Sequence, residues 1–327
     1  MKLAAYIALL IGLAALVYIV VQSDARAILT LIARAGWVLW CLVPLYALPL
    51  LPDCLGWRVL IPAPTRIAVL YWIAAVRQAV NRLLPVANIG GELVGMRLLA
   101  QSGVEATTAA ATVIVELLVT LMSQCIFVAV GVATLLRITG AVQLSSQLAI
   151  TVAACLPLLA VLVLLLRHGG VFERFQRFAQ RLLGGSHPAV PSLQLGSQLD
   201  AAVRERSDAP LRLLRTAMFQ LAGYLTGCLG TWAALYWLGS PVSFAAALVL
   251  ESLSQAARQF IFIVPAGLGV QEISLLAVGH ALGLGADVAI ALSLAKRMAE
   301  IAFGVPALIS WQWFEGRRWL RLRKSSG

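Results

Sequence analysis

Charged side chains interrupt several of the most apolar stretches of this 327-residue sequence. At the centre of a membrane helix such a charge costs about 2.5–3.5 kcal/mol on insertion scales, so its presence indicates an ion pair or a polar pathway. Arginine can avoid the cost by extending to an interface, as we expect for Arg58 and Arg97. The other charges are expected to face a shared cavity: Asp53, Arg77, Glu92, Glu116, Glu251, Arg258, Glu272, Lys296, Arg297 and Glu300.

These residue types have a defined chemistry toward a charged ligand. Lys296 and Arg297 could bind phosphate or neutralise acids, while Glu92 and Glu272 could contact a headgroup or exchange protons. A structural ion pair accounts for any one of them equally well, but their clustering in two parts of the chain favours a substrate pathway. We assign this pathway to Arg77, Asn81, Glu92, Arg97, Glu116, Arg258, Glu272, Lys296, Arg297 and Glu300.

Two Pro–Gly–Glu segments predict broken helices. Proline stops ordinary helix continuation, and glycine allows the tight turn that follows. The next helix then starts with free N–H groups that attract anions, so we expect an anionic headgroup, in particular a phosphate, beside them. The alternative is that these residues only kink and pack helices. The breaks are expected within about three residues of each proline and involve Pro85, Gly90 and Gly91 in one segment and Pro265, Gly267 and Gly269 in the other.

The two segments also indicate an internal repeat with an offset of 180 residues. In each half a glutamate follows the proline by seven residues, a glycine follows that glutamate by eleven, and a charged residue comes thirteen residues later. Chance is the alternative, because proline and glycine are common. An odd number of crossings separates the two units, which are residues 67–136 and 244–314. They are therefore expected to be inverted in the membrane, as in many secondary transporters.

The composition predicts that membrane helices hold these residues. Hydrophobic residues make up 61% of the sequence and charged residues 12%, against about 45–50% and 25% in soluble domains. The mean hydropathy is +0.91. A soluble protein is excluded because too few polar residues remain to cover a surface. We predict one all-α, polytopic membrane domain over residues 1–327, with about ten membrane segments that include short or broken helices and two inverted repeats.

The ten segments are stretches of mostly apolar residues. The first could instead be a signal peptide, although its apolar run is long for one. The fourth carries charges and could be re-entrant, and the ninth is expected to cross the membrane or to form part of a composite crossing. The segments are residues 3–21, 37–60, 67–84, 86–103, 106–136, 144–166, 213–238, 244–264, 266–284 and 288–314.

Basic residues concentrate in residues 167–212 and 317–324, outside the apolar segments. Loops rich in lysine and arginine stay in the cytoplasm, so both regions and both termini are expected on the cytoplasmic side of a bacterial inner membrane. The formal net charge is +11. In so apolar a chain this excess indicates contact with anionic lipid and argues against nucleic acid as a partner.

Motifs for metal or nucleotide chemistry are missing from the sequence. The five cysteines lack CxxC spacing, the three histidines are scattered, and HExxH, P-loop and GxSxG patterns do not occur. We therefore expect no metal, no cofactor and no catalytic residues.

The residues around the two breaks resemble a known family. Residues 81–99 (NRLLP followed by GGELVGMRLL) and 264–272 (VPAGLGVQE) resemble the flippase-like family that includes the membrane region of lysylphosphatidylglycerol synthases. Residues 293–300 (SLAKRMAE), with Val305-Pro306 and Trp311-Gln312, look most similar to its hopanoid-biosynthesis-associated branch. The resemblance covers about residues 77–311. It implies translocation of aminoacylated phospholipid or the transport of hopanoids, although the neutral heads of many hopanoids conflict with an anion site.

We therefore expect a lipid transporter or flippase that works by alternating access of its two repeats. Since no soluble aminoacyl-transfer domain follows the membrane region, transport or a partnered role is expected in place of lipid synthesis. The alternatives are an intramembrane lipid-modifying enzyme and a non-catalytic scaffold. The scaffold would bind lipid-biosynthesis proteins at the cytoplasmic face through residues 167–212. Membrane lipids are the expected partners in every case.

The repeat makes a specific prediction about one pair of charges. Glu116 aligns with Lys296, and equivalent positions near a pseudo-two-fold axis come together. Opposite charges there would relieve the repulsion between two identical ones. We predict that both side chains face the protein interior and that Lys296 pairs with Glu116. The local alternative is a pair with Glu300, one helical turn away.

Overall fold

The computed structural model describes residues 25–84, 90–140, 193–260 and 269–325. These parts of the chain are helical and contain no strand, which confirms the all-α prediction. The helices are α1 (Ala25–Ala35), α2 (Leu42–Ala47), α3 (Leu50–Leu60), α4 (Ile67–Leu83), α5 (Gly90–Gln101), α6 (Ala106–Thr139), α7 (Leu193–Ser207), α8 (Pro210–Trp237), α9 (Phe244–Phe260), α10 (Val270–Ala281) and α11 (Ala286–Ser325), with a 3-10 helix at Gly36–Cys41 between α1 and α2.

Among the described residues, two helical stretches combine the length and the hydropathy of a membrane span. They are Arg26–Leu60, which runs through α1, α2 and α3, and Ala106–Thr139, which is α6. Backbone groups have no water to bind in a bilayer, so such apolar stretches must satisfy their hydrogen bonds within the helix. Helix α6 ends where Gly140 adopts a left-handed conformation (φ 62°), a common way to stop a helix.

Helices α5 and α10 are too short to cross a bilayer alone. Each has 12 residues, which gives a length of about 18 Å at 1.5 Å per residue. The hydrocarbon core is about 30 Å thick. These helices lie in the two segments, 86–103 and 266–284, for which the sequence left open a partial or composite crossing.

Buried clusters show which helix ends lie together. At the first end, Leu60 and Val203 are buried in one cluster, and Leu213 packs against it. At the second end, Ile28, Leu238 and Ile290 share another cluster. Helices α6 and α8 run from the first end to the second, and α11 runs back toward the first.

The hairpin of α4 and α5 opens toward the first end. Val69 near the start of α4 and Gln101 at the end of α5 line the same groove. The hairpin of α9 and α10 opens toward the second end, where Val242 before α9 and Leu282 after α10 pack on the cluster that contains Leu238. The two hairpins therefore enter the helical bundle from opposite sides.

The two halves have matching helix boundaries. Helices α5 and α10 begin 180 residues apart, at Gly90 and Val270, and have equal lengths. Helices α6 and α11 also begin 180 residues apart, at Ala106 and Ala286. The glycines between them, Gly103 and Gly283, both have positive φ, 102° and 78°.

Helix extends beyond several of the predicted apolar segments. Helix α1 occupies Ala25–Ala35, before the apolar segment predicted over residues 37–60, and its Ile28 is buried. The basic residues 317–324 continue helix α11 and are not a separate tail. Residues 193–207 of the predicted basic loop form α7, which packs on α6 through Val203. The predicted segments 3–21 and 144–166 lie outside the described residues.

Candidate functional site

The first charge cluster joins α4, α5 and α6 through Arg77. Its Nη1 donates a hydrogen bond to Glu116 Oε2 at 2.7 Å, and its Nη2 donates to Glu92. The guanidinium lies 4.8 Å from the centre of the Trp57 ring, a distance at which cation–π attraction contributes. All three charged side chains are largely buried. One arginine thus holds two carboxylates from two different helices.

Asn81 connects the start of α5 to α4 through two hydrogen bonds. Its Oδ1 accepts the Gly91 backbone N–H at 2.8 Å, and its Nδ2 donates to Glu92 Oε1 at 3.4 Å. A Cβ atom on Gly91 would collide with the Arg77 carbonyl oxygen, so only glycine permits this approach. The Gly91 N–H that was expected to attract an anion binds an amide oxygen instead.

The second charge cluster joins α9, α10 and α11. Arg258 donates to Glu300 at 2.8 Å and also to Gln271. Arg297 donates to Glu300 at 3.2 Å and to Glu272 at 3.5 Å. Arg258 on α9 thus matches Arg77 on α4. Each arginine bonds to the next short helix and to the long helix that follows it in the chain.

Lys296 forms a third cluster with residues of α8 and α9. Its Nζ donates to Glu251 and to Thr231 Oγ1, the latter at 2.9 Å. Gln255 donates to the other carboxylate oxygen of Glu251 at 2.8 Å. Lys296 faces the protein interior as predicted, since its side chain is only 13% exposed.

Both predicted partners of Lys296 are wrong. Glu116 is buried as predicted, but Arg77 of its own half binds it. Glu300 is bound by Arg258 and Arg297. Arginines on neighbouring helices satisfy both carboxylates, so neither of them is left to pair with Lys296.

Arg97 lies apart from the three clusters, which corrects its assignment to the same interior pathway. Its side chain is 64% exposed, and it donates to Glu315 at 3.0 Å. It sits near the end of the short helix α5, where its long side chain reaches outward as expected for an arginine close to an interface.

The helix breaks lie partly within the described residues. Helix α4 ends at Leu83 and helix α9 at Phe260. Gly90 begins α5, and Gly269, with φ 78°, precedes α10. Pro85, Pro265 and Gly267 lie outside the described residues, so the breaks at the prolines stay predictions.

Four buried or half-buried polar residues were not included in the predicted pathway. Glu251 and Asp53 were expected to face the shared cavity, but only Glu251 has a further signal, because Gln255 follows it by one turn in the same apolar helix. Gln271 is fully buried and donates to Ser293 Oγ at 3.0 Å. The position of Arg82 near the end of α4 does not distinguish it from an interfacial charge.

Asp53 and Arg82 lie beside the charge clusters and have no ion pair among the described residues. Arg82 lies in the last turn of α4, where its charged neighbours are Arg258, Arg297 and Glu300. Asp53 on α3 lies against Gly223 of α8, and its charged neighbours are Glu116 and Arg77. The Arg77 cluster is therefore rich in acid, and the Glu300 cluster is rich in cations.

The arrangement can bind charged groups directly. The described residues contain no group of three or more histidine, cysteine, aspartate or glutamate side chains placed to hold a metal ion. Within them, Glu272 Oε2 and Arg258 Nε are buried and have no hydrogen-bond partner. The site therefore offers both an acceptor and a donor to a ligand or to water.

Comparison with known proteins gives one positive result. A family model described as the lysylphosphatidylglycerol synthase TM region matches residues 6–307. This range contains all three charge clusters. No curated protein and no solved structure matches the chain.

Proposed function

The chain belongs to the family of the lysylphosphatidylglycerol synthase transmembrane region, and from that premise we propose that it moves a polar-headed lipid between the two leaflets of a membrane. The family and the apolar helices make it an integral membrane protein with a role at membrane lipids. The transport of lipid, its headgroup and its direction belong to the proposal.

The interior side chains without an ion pair support transport most directly. Arg82 and Asp53 are half-buried and have no ion pair among the described residues, so the ion pairs that join the helices do not account for them. Ionisable side chains inside a membrane usually face a cavity or pathway. A lipid headgroup that carries both signs could be held by the acid-rich and the cation-rich cluster together.

The matching halves supply a mechanism. We propose that the units 67–136 and 244–314 arose by duplication and are inverted, because their hairpins open toward opposite ends and their helices share a 180-residue register. Rocking of one unit against the other would expose the interior charges to each side in turn, as in other inverted-repeat transporters.

A charged phospholipid fits the interior better than a neutral hopanoid. A neutral polyol head would leave the Arg82 guanidinium without a counterion throughout the cycle. A phosphate beside Arg82 would accept charge-assisted hydrogen bonds from the guanidinium, which are stronger than neutral ones. The headgroup we propose is therefore anionic or aminoacylated.

Translocation can be measured in proteoliposomes that contain fluorescent phosphatidylglycerol. We expect the wild-type protein to make inner-leaflet label accessible to dithionite faster than empty liposomes do. Arg82→Gln should reduce the rate toward the background, whereas Arg137→Gln, at the far end of α6, should not. Equal rates with and without protein would contradict transport. A change in lipid mass during the assay would favour the enzyme alternative.

We also propose that the first end of the bundle faces the cytoplasm of the bacterial inner membrane, with both termini on that side. Exposed arginines are more numerous there, and they include Arg58, Arg66, Arg97, Arg204, Arg215 and Arg317. Such an excess retains loops on the cytoplasmic side. The second end has fewer among the described residues, with Arg34 and Arg137 as examples.

Single cysteines in a cysteine-free protein test this orientation. We expect Arg137→Cys to react with an impermeant maleimide in intact spheroplasts. The matched variant Arg204→Cys should react only after the membrane is permeabilised. The reverse pattern would overturn the proposed orientation.

A further inference from the structure

A groove outside the three charge clusters lies between α4, α5 and α11 at the first end of the bundle. Its volume is about 540 Å³, within the range of about 300–1,000 Å³ that is usual for small-molecule sites. The lining is mostly apolar and aromatic and comprises Val69, Trp72, Leu98, Gln101, Ser102, Ser310, Trp313 and Phe314. An open apolar groove on the surface of an integral membrane protein is accessible to lipid.

Tryptophan and serine side chains shape the wall of the groove. Trp72 Nε1 donates to Ser310 Oγ at 2.9 Å, which fixes the indole against α11. The Trp72 ring also contacts Phe314 edge to face, with ring centres 5.1 Å apart. These two contacts fix the position of the Trp72 ring, so an acyl chain would meet a preformed apolar surface.

The rim of the groove is cationic. Arg317 stacks over Trp313 with its guanidinium carbon 3.6 Å from the ring centre. Arg97 uses one nitrogen for Glu315 and is otherwise exposed, so most of its five N–H donors remain available. Arg66, also exposed, lies three residues before the lining residue Val69. Arg97 and Arg317 thus outnumber the one carboxylate at this rim, Glu315, which leaves the rim with a net positive charge.

Unused hydrogen-bond acceptors lie beside this rim. Gln101 Oε1, on a lining residue, is buried and has no partner, and the same is true of Glu315 Oε1. A buried acceptor without a donor is costly, so each is expected to be satisfied by a bound molecule. A headgroup with hydroxyl donors next to a phosphate would serve both the acceptors and the arginines.

We propose that this groove is a binding site for an anionic phospholipid with a hydroxylated headgroup. One acyl chain lies along Trp72, Leu98 and Phe314, and the phosphate lies on Arg97 and Arg317. Glycerol hydroxyls donate to Gln101 and Glu315. The site is separate from the interior clusters, and lipid binding there does not depend on translocation.

Native mass spectrometry of the delipidated full-length chain tests the site, with phosphatidylglycerol and phosphatidylcholine of identical acyl chains as probes. We expect one phosphatidylglycerol to be retained about tenfold more strongly than phosphatidylcholine. The double variant Arg97→Gln with Arg317→Gln should lose this preference, and Ser102→Trp, which fills the groove, should lose the bound lipid altogether. Arg137→Gln removes an exposed arginine at the other end and should keep the preference.

Two results would contradict a selective site in the groove. Equal retention of the two lipids by the wild-type chain would mean that any bilayer lipid fills the groove and would overturn the proposal. So would an unchanged preference in the double variant. If Ser102→Trp lowers the melting temperature, the double variant decides, because both of its arginines are exposed and their loss leaves the core intact.

Discussion

Arg77→Gln will abolish lipid translocation and lower the free energy of unfolding by about 3–5 kcal/mol, the usual result of removing one partner of a buried ion pair. The substitution leaves Glu92 and Glu116 buried side by side without their shared cation. Thermal or denaturant unfolding in detergent measures the stability, and the proteoliposome assay measures the translocation. Arg97→Gln, which breaks the exposed pair with Glu315, should cost at most about 1 kcal/mol.

A triple variant separates the two effects of Arg77. Arg77→Met with Glu92→Gln and Glu116→Gln removes the whole charge cluster, and neutral replacement of a buried ion pair often restores stability. We expect the triple variant to unfold near the wild-type temperature but to remain inactive in translocation. Recovery of translocation would show that the cluster is only structural and would contradict its place in the pathway.

Lys296→Met will have the second large effect, because it leaves the Glu251 carboxylate buried without a counterion. The expected loss is again about 3–5 kcal/mol of unfolding free energy. Exchange of the two charges, Lys296→Glu with Glu251→Lys, should recover much of it. A double-mutant cycle on the pair should give a coupling free energy of about 0.5–3 kcal/mol.

The exchange of Lys296 with Glu116 is the matched control. In the structure these two residues belong to different clusters, so Lys296→Glu with Glu116→Lys should be at least as unstable as the sum of the single changes. Better recovery from this exchange than from the exchange with Glu251 would restore the pairing across the repeats that the sequence predicted.

Hydropathy and spacing predicted much of the fold. Helices α4, α6 and α9 begin at the predicted residues because apolar runs there are bounded by charged or turn-forming residues. The start of α1 could not be predicted in the same way, since the amphipathic residues before Trp37 look like an interfacial segment. The continuation of α11 through residues 317–324 was missed for a similar reason, because a basic composition indicates location and not helix length.

The predicted site residues lie mostly in the interior, but their partners were not predictable. A charge in an apolar helix needs a partner, yet spacing along one helix cannot identify a partner on another. Lys296 shows this limit: its partners, Thr231 and Glu251, come from α8 and α9. The repeat suggested that Lys296 would pair with Glu116. Arg77 on helix α4 binds this carboxylate instead, because the planar guanidinium of arginine offers several donors.

The pairs between distant helices also constrain how the protein is made. Glu251 is synthesised 45 residues before Lys296 and Arg258 is synthesised 42 residues before Glu300, so at about 5–20 residues per second Glu251 is made about 2–9 s before its partner exists. During this time each unpaired charge opposes insertion by about 2.5–3.5 kcal/mol. We therefore expect helix α9 to be retained at the translocon until α11 has been synthesised. The second half of the protein would then enter the bilayer as one unit.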